Sequence, residues 1–80
     1  MPRKYQRDPI GESFGAVVRR LRESHGWTQE ELAERADMSA TYLGFVERGE
    51  NVPTLTIILK LADALRVTPG RMVDDVARAR

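Results

Sequence analysis

Three features of this sequence predict an all-α, compact five-helix fold. Apolar residues recur at helical spacing in separate short stretches, and four of those stretches open on a Thr or Ser suited to cap a helix: Thr28, Ser39, Thr54 and Thr68. Alternating apolar and polar runs are missing, as are the Asn-Gly and Asp-Gly dipeptides of tight hairpins, so no strand is expected. With 80 residues the chain makes one domain, close to the size at which a single core is marginal.

Residues 1–9, MPRKYQRDP, read as a flexible basic arm. A first helix is expected over residues 13–25, where Phe14, Val17, Val18 and Leu21 form one buried stripe. Gly26 ends it. Arg19, Arg20 and Arg22 gather near its C-terminus, where cations suit the helix dipole, and His25 reads as a capping or surface residue.

The second helix has a full start signal. Thr28 is its N-cap, Glu31 completes a capping box, and Trp27 and Leu32 are placed as a hydrophobic staple. Leu32, Ala33 and Ala36 give it one buried edge. After Asp37 the signal repeats, with Ser39 as N-cap, Met38 and Leu43 as staple, Leu43 and Val46 facing inward, and Gly49 closing the helix. Residues 50–53 are a loop. Thr54 caps a fourth helix whose Leu55, Ile58, Leu61, Ala62 and Leu65 are expected in the core. Thr68 caps a fifth, with Pro69 at the first helical position, Val67 and Met72 as staple, and Met72, Val73 and Val76 as apolar edge. The folded domain is thus expected over residues 10–77, with 78–80 a frayed tail. Helices as short as the second and third are marginal alone, so the first, fourth and fifth must hold them.

Composition narrows the function. The absence of cysteine removes disulfides, thiolate metal sites and cysteine nucleophiles. One histidine, no phosphate-binding glycine loop and no clustered metal ligands leave nothing to build an active site from, and no cofactor is expected. Glu30 and Glu31 look like paired carboxylates, but adjacent residues on a helix point in different directions. No apolar run is long enough to span a membrane and no signal-peptide pattern opens the chain, so a cytoplasmic protein is expected. Net charge is only +1, unevenly spread: residues 1–22 carry six basic and two acidic side chains, whereas residues 28–50 carry two basic and six acidic ones. A nucleic-acid partner is then reasonable only if most of those carboxylates are turned away or internally paired.

The set Trp27-Thr28-Gln29-Glu30-Glu31-Leu32-Ala33, Ser39-Ala40-Thr41-Tyr42-Leu43 and Val46-Glu47-Arg48-Gly49 resembles the helix-turn-helix of phage repressors and Cro, shared by the bacterial XRE family. The motif spans residues 28–48. One position departs from it: the family usually has Gly where this chain has Asp37, a residue that tolerates the left-handed conformation better than most. The resemblance implies a lambda-repressor-like five-helix fold and sequence-specific binding of double-stranded DNA by a small bacterial or phage transcriptional regulator, a repressor or autoregulator, nucleoid-associated when bound. It also implies an ion pair between Arg22 and Glu47, oriented toward a phosphate. With no sensory module after the fifth helix, competence to bind without an effector is expected.

Turning Leu43 and Val46 inward at roughly 100° per residue puts Thr41, Gly44, Phe45 and Arg48 on the opposite face, with Ala40 and Tyr42 on its flanks. Ala40, Thr41, Gly44 and Phe45 are the expected base-contacting residues in a major groove. Phe45 could instead pack against a neighbouring helix or a partner chain, and Tyr42 could equally brace the core. Phosphate contacts are expected from Thr28 and Gln29 at the start of the second helix, from Ser39, Tyr42, Arg48 and Arg22, and from Asn51, Thr54 and Thr56 around the start of the fourth. Arg3, Lys4 and Arg7 of the arm could follow the backbone or enter a minor groove, unless the arm is only a solubilising tail. Proteins of this kind usually read two half-sites as dimers. Helix five with the exposed ends of helix four, including Val73, Val76 and Ile57, is the candidate homodimer surface, unless those residues finish the core instead. Two other readings keep the fold. In one, an antitoxin or similar regulator binds a protein such as a toxin. In the other, the chain is a restriction–modification controller.

Overall fold

A computed structural model describes residues 8–79 of the chain. Five α-helices follow in order: α1 (Pro9–Ser24), α2 (Gln29–Arg35), α3 (Ala40–Glu47), α4 (Leu55–Leu65) and α5 (Pro69–Ala79). Among the described residues there is no strand, and no helix is long and apolar enough to cross a membrane.

α1 begins a full turn before the expected start at Ser13. Asp8 is its N-cap, accepting from the N–H groups of Ile10 and Gly11, and Pro9 takes the first helical turn. The cap-then-proline pair is a start signal in its own right, because proline lacks the N–H that would go unbonded there. Two residues assigned to the arm therefore belong to the folded domain. At the other end, α5 runs on to Ala79, with Arg78 donating to Asp75 at 2.6 Å, so the expected frayed tail is helical through that residue.

The helices wrap one core. Phe14, Val17, Val18 and Leu21 of α1 meet Leu32 and Ala33 of α2, Leu43 and Val46 of α3, Leu61, Ala62 and Leu65 of α4, and Met72 and Val76 of α5. Leu55 was expected among them but is 70% exposed: it opens α4 on the outer side, and the inward stripe starts with the partly buried Ile58. Val73 also stands outside the core, at 49% exposure, while Val76 is inside it and Ile57 packs against it.

Four helix ends share one closure. Each has a residue in the left-handed region: Gly26 (φ 75°), Asp37 (58°), Gly49 (76°) and Arg66 (62°). In every case the N–H of that residue reaches three residues back, and the next N–H reaches five back: Trp27 to Arg22, Met38 to Ala33, Glu50 to Phe45, Val67 to Ala62. This double closure satisfies carbonyls that a helix end would otherwise leave bare. Two of the four positions are filled by residues other than glycine, which carry some steric strain for the same geometry.

Candidate nucleic-acid interface

The recognition element of the motif, α3, is seated by backbone contact. Gly15 of α1 lies where α1 crosses the end of α3, and a Cβ there would lie against the Val46 carbonyl oxygen and 2.6 Å from that of Glu47. Only glycine permits that approach. Gly49 repeats the contact one turn on, since a Cβ on it would meet Glu12 Cγ at 2.7 Å. Gly15 was not singled out from the sequence. An isolated glycine inside a helical pattern is itself the signal of close packing.

A polar clamp adds to this seat. Arg22 Nε donates to Glu47 Oε2 at 2.7 Å and Nη2 donates to Oε1 at 3.0 Å, a two-pronged pair with side chains only 12% and 3% exposed. Arg22 Nη1 donates to the Trp27 carbonyl at 2.8 Å, and Gln29 Nε2 donates to Glu47 Oε1 at 2.9 Å. α1, the start of α2 and the end of α3 are thus joined through one carboxylate. The Glu47 hydrogen bonds hold the Arg22 pKa above its ordinary value despite desolvation. Beside the clamp, the His25 ring stacks on Trp27 with centroids 4.1 Å apart, and the Arg35 guanidinium lies 4.2 Å from the Trp27 ring. His25 caps α1, and its Nε2 lies 2.9 Å from the Leu65 carbonyl at the end of α4.

With Leu43 and Val46 fully buried, the outer face of α3 carries Thr41 and Phe45, both exposed. Ala40 and Tyr42 are half-buried on its flanks and pack against the core. Gly44 was expected to lie open on this face, but it is buried, because the Arg48 side chain folds back over it. Gln29, Glu30, Ala40, Thr41, Gly44 and Arg48 line a shallow hollow there. Around the face, the hydroxyls of Thr28, Ser39 and Thr54 accept capping bonds from the N–H groups of Glu31, Tyr42 and Ile57. Each hydroxyl keeps its own proton to donate outward. Thr56 is exposed and Asn51 half-buried near the Thr54 cap. Gln29 commits one amide N–H to Glu47. Arg3, Lys4 and Arg7 lie outside the described residues.

Four of the six carboxylates in the motif have local partners. Glu47 is clamped, Glu31 accepts from the Thr28 N–H, Asp37 lies 3.8 Å from Lys60, and Glu50 pairs with Arg48 at 3.2 Å. Glu30 borders the hollow.

A helix-turn-helix family model matches residues 18–71, more than half of the chain. The HTH-type transcriptional regulator y4dJ of Sinorhizobium fredii is 39% identical over 64 residues, 80% of this chain and 78% of that protein. Among solved structures, the restriction-modification controller protein C.AhdI from Aeromonas hydrophila is 40% identical with a TM-score of 0.74, covering 78% of this chain and 94% of that one. The clp gene regulator ClgR from C. glutamicum superposes with a TM-score of 0.80 at 29% identity, covering 86% of this chain and 90% of that one. Against the longer HTH-type regulators of Mycobacterium tuberculosis and M. bovis, the chain spans 23% of their length. The chain belongs to the helix-turn-helix family, of the XRE type read from residues 27–49.

Proposed function

We propose that this helix-turn-helix protein is a sequence-specific binder of double-stranded DNA that regulates transcription, with α3 in the major groove. The observation that carries this reading is the division of α3 into two faces. Its inner face is fully buried and clamped to α1, while Thr41 and Phe45 stand uncovered on the other. Thr41 offers a hydroxyl and a methyl to base edges, and Phe45 and Ala40 offer apolar contact to thymine methyls. The hydroxyls of Thr28, Ser39, Thr54 and Thr56, with Tyr42 and Asn51, flank that face as phosphate donors that fix register. Arg22 spends three of its five N–H groups on Glu47 and Trp27, leaving two for a phosphate.

A homodimer reading two half-sites fits the C-terminal side. Val73 is exposed there beside an apolar hollow of about 140 Å³ lined by Ile10, Phe14, Val52, Pro53, Ile58 and Val76. The 40% identity to C.AhdI is consistent with a restriction–modification controller as the particular kind of regulator. Anisotropy titration of the purified chain against its own upstream region and a random duplex, at two salt concentrations, tests the function. Tight binding to the upstream region alone, weakening steeply with salt, is expected. Equal weak binding to both duplexes would remove the DNA reading and direct the search to a protein partner such as a toxin.

A further inference from the structure

We infer that Arg48 reads a guanine from the middle of the recognition surface, with Glu50 holding its guanidinium edge-on to the base. This rests on the DNA-binding reading above and departs from the expectation that Arg48 binds phosphate. Arg48 caps α3, and Thr41, Gly44 and Arg48 fall on one stripe of the helix. Helical side chains lean toward the N-terminus, so a long side chain at the helix end travels back along its own stripe. Gly44 leaves room for it: a Cβ at that position would lie 3.1 Å from Arg48 Nη1. The guanidinium carbon lies 5.2 Å from the Phe45 ring centroid, over a residue that itself faces outward. The charged end of Arg48 is thereby brought back from the helix end onto the base-reading face.

Its orientation suits a base edge better than a phosphate. Glu50 accepts from Nε at 3.2 Å and from Nη2 at 3.5 Å, which occupies the side edge of the guanidinium. The end edge, Nη1 with the second proton of Nη2, remains for two parallel hydrogen bonds. That edge matches the O6 and N7 acceptors of guanine in the major groove. Glu50, which pairs with this group, and Glu30, which lines the same hollow, repel a phosphate more strongly than an uncharged base edge. The other base-facing residues, Ala40, Thr41 and Phe45, supply no two-pronged donor or acceptor, so Arg48 adds the bidentate contact they lack.

Selection of binding sites from a randomised duplex pool, run in parallel on the native chain and on Arg48→Lys, Arg48→Ala and Gly44→Ala, tests this. The native chain is expected to enrich a motif with a guanine that exceeds the other bases by about 5- to 150-fold, the discrimination of one bidentate pair. In Arg48→Lys that preference flattens while the other positions and the salt slope persist, because the charge is kept and the fork is lost. Gly44→Ala, which favours helix and crowds the guanidinium, weakens the same position only. If Arg48→Ala instead lowers affinity uniformly across the motif and reduces the salt slope by about one, Arg48 is a phosphate contact and the inference is overturned. A native chain that enriches no motif would overturn the DNA-binding reading itself.

Discussion

The two ends of this small bundle are held by different physics. Where α1 crosses α3, backbone touches backbone at Gly15, and the buried Arg22–Glu47 pair closes the gap with two short hydrogen bonds. Where α5 returns to α1, Met72 and Val76 are buried, but the polar tie between the helices runs from exposed Arg20 to Asp75 at 3.4 Å, while exposed Arg71 and Arg78 reach Asp75 from within α5 at 3.9 and 2.6 Å. The first arrangement admits one geometry, since shifting α3 would strand a desolvated charge and drive backbone atoms together. The second is re-formable, and exposed Val73, Val52 and Ile10 lie near it. A reading helix needs the former. A face for a second copy can be built on the latter.

Breaking the clamp should have the largest effect. Arg22→Ala leaves the Glu47 carboxylate, 3% exposed, with Gln29 as its remaining donor, and should cost about 2–3 kcal/mol in urea unfolding. Replacing both partners by apolar residues, Arg22→Met with Glu47→Leu, should recover much of that loss, because no buried charge is then left unpaired. A single-variant cost below about 0.5 kcal/mol, the range of ordinary surface substitutions, would show that the pair does not fasten α3.

Gly15→Ala comes next. An added methyl ordinarily favours helix by up to about 1 kcal/mol. Here the Val46 and Glu47 carbonyls stand in its way, and overpacking against backbone should outweigh the gain, for a net loss of about 1–2 kcal/mol. Thermal unfolding checks the sign. A stabilised variant would mean that α1 and α3 can separate freely, and the contrast between the two ends of the bundle would collapse.

Local chemistry made most of the fold legible. The caps at Thr28, Ser39 and Thr54 and the box with Glu31 need only residues three apart, so the sequence carries them whole. Asp37 was readable as left-handed because the family it resembles usually has Gly there, whereas Arg66 took the same conformation with no glycine or asparagine to mark it. Leu55 escaped correct placement because periodicity gives the spacing of a stripe but not where a helix starts to meet the core. The ion pair of Arg22 and Glu47 joins residues 25 apart, and only the family resemblance pointed to it. The position of Arg48 was beyond pattern reading. It depends on a rotamer, a missing Cβ at Gly44 and the carboxylate of Glu50 acting together.

The ties at Asp75 should give the smallest effect and a pH signature. The Arg78 hydrogen bond, followed by the charge of Arg78 and the contacts of Arg20 and Arg71, lowers the Asp75 pKa, with desolvation opposing. A carboxylate whose pKa is lower folded than unfolded contributes stability that is fully present above the unfolded value of about 3.9 and is lost as pH falls through the folded one. Asp75→Asn should therefore melt slightly below the native chain at neutral pH, and the two should converge in strong acid. Added salt at neutral pH should shrink the same difference, because all three arginines are more than half exposed and their field is screened. A difference that persists through acid and high salt would place Asp75 in a rigid contact like that of Glu47, and α5 would then be as firmly seated as α3.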